Sequence, residues 1–145
     1  MPDYPDHIIK VERAPEKAEF NSTYDNAASV YYLAGRSGLY YNVHNTSTDH
    51  FAVVYMIVAG IYPDTSSIGE YNQLDVAWGI STTGDVADTQ WLGERIIWRI
   101  QVIHPDYLKN IRINPGESFV TYLYNYKETQ IIIEIILFYA YYLME

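Results

Sequence analysis

The stretch 130-QIIIEIILFYAYYLME-145 decides how this chain folds. From Ile131 to Met144 a single charge, Glu134, stands among apolar and aromatic residues. Three structures compete for it: a membrane anchor, a buried helix, and a strand with two dry faces. A membrane-spanning helix needs about 20 apolar residues, whereas a run of roughly 10–14 more often belongs to a buried element. The tail offers 14 residues, with Glu134 interrupting them. As a helix it would be apolar almost all round, and its five isoleucines are stiff at χ1. The pattern therefore predicts a strand over 129–143. One face carries Ile131, Ile133, Ile135, Leu137, Tyr139, Tyr141 and Leu143; the other carries Ile132, Glu134, Ile136, Phe138, Ala140 and Tyr142.

The second face is the informative one. An antiparallel sandwich ordinarily turns its outer face to water. The run 50-HFAVVYMIVAGIY-62 shares the peculiarity. It places Phe51, Val53, Tyr55, Ile57, Ala59 and Ile61 on one side, and Ala52, Val54, Met56, Val58 and Tyr62 on the other. An apolar sheet face left bare invites aggregation, so something must cover it. Three covers fit: the chain's own polar segment 14–28, another subunit, or lipid. Ile132, Glu134, Ile136, Phe138 and Tyr142 are the candidate assembly-interface residues.

Outward from these two runs, the chain divides into short apolar segments bounded by turn chemistry. Strands are predicted over 7–13, 29–34, 39–45, 74–81, 95–103, 111–114 and 117–125. Pro115-Gly116 suits a type II turn, because glycine accepts the positive φ required at the third position. Residues 14–28 and the polar segment 82–94 read as loops. Eight or nine strands with few helix-start signals predict an all-β sandwich or barrel, folded as one domain over 1–145 with residues 1–6 as a flexible lead-in.

Composition narrows the function. Half the chain is hydrophobic (49%), which rules out disorder. Nine Lys and Arg against 18 Asp and Glu give a net charge of −9, which repels phosphate and argues against direct nucleic-acid binding. Cysteine is absent, so disulfides and thiolate chemistry are excluded. No basic region followed by an apolar run opens the sequence, so no signal peptide is expected. Asn21-Ser22-Thr23 and Asn45-Thr46-Ser47 then read as chance glycosylation triplets.

No catalytic constellation emerges. His7, His44, His50 and His104 lack metal-ligand spacing, although His44, Asp49 and His50 flank one short loop and could converge. Asp85 and Asp88, with Glu94 beyond them, read as solvated loop charge rather than an acid–base pair. Motifs for nucleophilic hydrolysis or nucleotide binding are missing, so neither an enzyme nor a cofactor or metal is expected. Trp78, Trp91 and Trp98 could form a sugar-stacking platform, with Trp91 in a loop. They support the alternative function, a non-catalytic carbohydrate-binding or attachment module.

The succession of short strands, the long final strand, and 113-INPGESFV-120 leading into YLYN resemble a single jelly-roll capsid protein. The resemblance spans roughly residues 7–143. It points to the small major capsid proteins of icosahedral viruses of hot-acid archaea, of the polyhedral, portoglobovirus type. This implies a single jelly roll of about eight antiparallel strands. It also implies a virion subunit, assembled in the host cytoplasm, that forms capsomers with copies of itself and with other virion proteins. Many capsid proteins carry a basic N-terminal arm, whereas MPDYPDHIIKVERAPEK mixes both signs. Direct contact with the genome does not follow from the resemblance.

Overall fold

The structure, a computed structural model, describes residues 11–12, 18–19, 25–63, 73–97, 101–103 and 108–144. The strands are β1 (Val11–Glu12), β2 (Ala18–Glu19), β3 (Asp25–Leu33), β4 (Gly38–His44), β5 (His50–Pro63) and β6 (Leu74–Ser81). They continue with β7 (Thr89–Ile97), β8 (Gln101–Ile103), β9 (Ile111–Ile113), β10 (Ser118–Asn125) and β11 (Ile131–Leu143).

Two sheets form. One has the order β4-β10-β6-β7, the other β3-β11-β5 with β8 and β9 sharing the far edge of β5. β8 pairs with Ile57–Ala59 and β9 with Ala52–Val54, so the two short strands occupy successive stretches of one edge position. All these pairings are antiparallel. Each sheet interleaves early strands with late ones. That double Greek-key winding makes the fold a single jelly roll. The two-residue strands β1 and β2 add short parallel pairings to β4, outside the antiparallel plan.

The core lies between the sheets. Ile131, Ile133, Ile135, Leu137 and Tyr139 of β11 meet Leu39, Tyr41 and Val43 of β4, Val76 and Trp78 of β6, and Phe119 and Leu123 of β10. Burial alternates strictly along β11 as far as Ala140, as a strand with one core face requires. Each of these large side chains contributes about 1.5–3 kcal/mol by leaving water.

Buried asparagines fasten two strand-end corners. Asn45 donates to the carbonyls of His50 and Ile113 at 2.9 and 3.0 Å, and its own oxygen accepts from Ser47 N and Tyr141 Oη. Asn125 shares its two amide hydrogens among the carbonyls of Leu33, Ala34 and Thr129, while Lys127 N donates to its oxygen. The expected turn is present: Gly116 has φ +82° and Glu117 N donates to Asn114 O at 3.0 Å.

Four expectations are corrected. First, the faces of β5 are not continuous. Pairing with β11 shifts between Phe138 and Tyr139, so Tyr55 and Met56 together oppose Phe138. This β-bulge reverses the alternation: Ile57, Ala59 and Ile61 are buried, and Ala52 and Val54, grouped on the other face, join them, while Phe51 and Val53 turn outward. Second, strand β3 begins at Asp25, inside the segment 14–28 read as loop. Third, strand β7 begins at Thr89, inside the polar segment 82–94, and includes Trp91 and Glu94. An edge strand with a wet flank tolerates polar residues that a central strand would not, so polarity misread it as loop. Fourth, the strand predicted over 95–103 is two: β7 ends at Ile97 and β8 starts at Gln101. Of the strand predicted over 7–13, only Val11–Glu12 falls within the described residues.

Candidate assembly surface

The outer face of the β3-β11-β5 sheet is built mainly by β11. Ile132, Glu134, Ile136, Phe138 and Ala140 are partly buried there, and Tyr142 is 50% exposed. Their neighbours across β5 are Tyr62, Gly60, Val58, Met56, Val53 and Phe51 in the same order. Tyr32 of β3 stands beside Ile132 and is 65% exposed. Every interface candidate named from the sequence therefore projects from one side of one strand. The bulge brings Phe51, Val53 and Tyr55 to that side, residues that simple alternation had grouped on one face with Ile57, Ala59 and Ile61.

Rings cluster at the β11 C-terminal end of this face. Phe51 stacks on Tyr142 with centroids 5.3 Å apart, and the Arg112 guanidinium sits 3.7 Å above the Phe51 ring. A cation held over a ring in this way tethers a charge to an otherwise apolar patch. Arg112 Nε also donates to Asn114 Oδ1 at 2.7 Å. Further along β11, Tyr55 and Phe138 lie 6.5 Å apart. Glu134 sits on the same face toward the opposite end, level with Gly60.

The outer face of the other sheet differs. All eight residues of β10 are buried, on both sides of the strand. Away from the core, Val120 and Tyr122 are 0% exposed. Tyr122 lies 4.8 Å from Tyr40 and 6.4 Å from Trp91 and from Tyr124, which in turn meets Tyr126 at 4.9 Å. Gly38 makes room for this packing, since a Cβ there would strike the Tyr122 hydroxyl. Burial raises the phenol pKa values of Tyr40, Tyr122 and Tyr126 above the ordinary value, with nearby Asp75 adding to the effect for Tyr122 and Tyr126. Sequence reading missed this cluster. Its signal was available in Val120, Tyr122 and Tyr124 alternating along β10, the same two-dry-face pattern noticed in β11.

The remaining candidates fall apart as a site. His44 Nδ1 faces Ser118 Oγ at 2.5 Å, whereas His50 stacks on Tyr141 at 4.8 Å and meets Asp49 Oδ1 at 2.7 Å. Hydrogen bonds from His50 and then Ser47 hold the exposed Asp49 carboxyl below its usual range. Among the described residues no three His, Asp or Glu groups converge as metal ligands would. Asp85 caps a single turn of 3-10 helix at Val86–Asp88 by accepting from Ala87 N, and Asp88 accepts from Thr83 Oγ1. Glu94 lies on β7 opposite Ala77, away from that turn. Trp78 is core, whereas Trp91 is strand-borne, not a loop residue, and packs edge-on to Tyr122, so these two do not share a surface. His7, His104 and Trp98 lie outside the described residues. Asn45 is 1% exposed with its amide nitrogen already engaged, so a glycan has no access to it; Asn21-Ser22-Thr23 lies outside the described residues. Among the described residues no helix is long and apolar enough to cross a membrane.

No family model and no curated protein matches the chain. Among solved structures it is similar to Aeromonas hydrophila PliG, a periplasmic lysozyme inhibitor of g-type lysozyme. The two share 7% identity with a TM-score of 0.44, over 90% of this chain and 97% of that one. A likeness so slight bears on neither fold nor function.

Proposed function

We propose that this chain is a structural, self-associating subunit, a jelly-roll component of a virion shell, that acts through its surfaces rather than through catalysis. Its partners are copies of itself and other virion proteins, and it needs no cofactor. One observation carries the reading: the outer face of the β3-β11-β5 sheet is apolar along β11 and β5 yet incompletely buried in the single chain, ending in Tyr32 and Tyr142 at 65% and 50% exposure. A face of this size and polarity is a contact surface in solution. The resemblance to small jelly-roll capsid proteins supplies the kind of assembly.

Light scattering across protein concentration tests the proposal. The chain is expected to pass from small to large species as concentration rises. Phe138→Asp, which puts a charge at the middle of the face, should hold it in the small species while leaving its far-UV circular dichroism unchanged. A wild-type chain that stays monomeric throughout would overturn the assembly reading.

A further inference from the structure

We infer that the outer face of the β3-β11-β5 sheet is closed by the same face of a second copy, in a two-fold contact with the β11 strands antiparallel. The inference rests on the self-association proposed above and specifies its geometry. Three observations carry it: size, charge and symmetry.

Four strand positions lie side by side in this sheet, and β11 is 13 residues long. Beside it β3 supplies 9 residues, β5 14, and β8 and β9 three each; at about 4.8 Å between strands and about 3.3 Å per residue the face covers roughly 650 Å², within the range of about 600–1,000 Å² that each partner buries in a standard stable interface. Stacked sheets also pack about 10 Å apart with their strands nearly aligned, so one such face suits another.

Charge sets the direction. Glu134 and Arg112 stand toward opposite ends of the face: Glu134 opposes Gly60 of β5, whereas Arg112 opposes Val53, which in turn opposes Ala140. Outward residues of β11 run from Ile132 to Tyr142, and their midpoint falls between Ile136 and Phe138. A two-fold axis through that midpoint, lying in the interface and across the strands, seats Ile136 of one copy on Phe138 of the other. Glu134 then meets Ala140 and Ile132 meets Tyr142. Each Glu134 is carried to the end where the other copy holds Arg112, and this happens twice. The alternative axis, along β11, would place Glu134 on Glu134, like charge on like charge, and leave both Arg112 side chains at the far end. An isologous contact needs one patch that complements itself, and the antiparallel arrangement supplies it.

Because the chain has no cysteine, an introduced one is the sole thiol. We would prepare Ile132→Cys and Tyr142→Cys, give one a mass tag, and treat them separately and mixed with a bis-maleimide spanning about 10 Å, the expected sheet spacing. The mixture should yield the Ile132–Tyr142 cross-link, and neither variant alone should link to itself. Identical positions would be about 33 Å apart along the strands. In parallel, Glu134→Arg should weaken association about tenfold, and adding Arg112→Glu should restore it. Self-linking of Tyr142→Cys at least as efficient as the mixed link, in a chain that still oligomerises, would overturn the antiparallel geometry and leave self-association standing. A chain that is monomeric at every concentration would overturn both.

Discussion

The two outer faces of this sandwich show different solutions to one problem. Strands β10 and β11 both carry apolar residues on both sides, so each sheet presents a second dry face. On the β10 side the face is closed within the chain: Val120 and Tyr122 are fully buried, with Tyr40, Trp91 and Tyr124 packed around Tyr122 and Tyr126 against Tyr124. On the β11 side, Ile136, Phe138 and their neighbours remain partly accessible, and Tyr142 is open. Chemistry follows the difference. The closed face is built from phenols and the Trp91 indole packed ring to ring, and the Tyr126 hydroxyl donates to Asp75 at 3.4 Å. The open face mixes aliphatic residues and phenylalanine with Tyr32, Tyr55 and Tyr142, and carries a charge toward each end. The closed face is sealed during folding by rings of the same chain, whereas a contact between molecules works best as an apolar patch with charge at its margins.

The largest effect should separate closed from open most sharply. Val120→Asp, on the outer face of β10, is expected to unfold the chain much as Ile135→Asp does in the core. Each leaves a carboxylate buried without a partner, at a cost of several kcal/mol or a large pKa shift. Thermal melts followed by circular dichroism would check this. If Val120→Asp melts near the wild-type temperature, the β10 face is open after all and the two faces are equivalent.

A smaller effect concerns the tyrosines of the closed face. The folded chain holds the protons of Tyr40, Tyr122 and Tyr126 more tightly than the unfolded chain does. Their contribution to stability is therefore complete below about pH 10, the unfolded value, and is lost as the pH rises above it. Phenolate absorbance should show part of the 16 tyrosines ionising only together with the loss of near-UV circular dichroism. Titration of all of them in one step near pH 10, with the fold intact, would show that solvent reaches the cluster.

Much of the fold was legible in the sequence because its signals are local. Strand period, turn residues and the Pro115-Gly116 pair report on short stretches of backbone, and they located most of the long strands. The β5 faces were not legible, since a bulge adds one residue through pairing with β11, and no pattern within β5 marks the spot. β7 was hidden because its membership in a sheet depends on β6 beside it rather than on its own polarity. The outward side of β11, with its interface candidates, was readable from period alone. Arg112 was not, because it reaches that face only through the registry of β9 against β5 and its seat over Phe51. For the same reason, two apolar strands such as β10 and β11 cannot be told apart as closed and open from their own residues.

The smallest expected effect is also the most discriminating. Ile136→Asp changes the open face at its centre, between Ala28 and Val58. Ile136 is partly buried, so the substitution is not free even in a single chain. It loses some packing and places a poor strand former in β11, together about 1 kcal/mol. The carboxylate nevertheless reaches water, so it avoids the penalty that Ile135→Asp incurs one residue earlier on the opposite side of the same backbone. The two variants share strand, local sequence and added charge, and differ only in which face receives it. Melting temperature and association state measured side by side should therefore diverge: Ile135→Asp fails to fold, while Ile136→Asp folds and fails to associate. Equal loss of folding in both would mean that the chain itself covers the β11 face as fully as it covers β10. The asymmetry between the sheets, and the contact with a second copy drawn from it, would then be wrong.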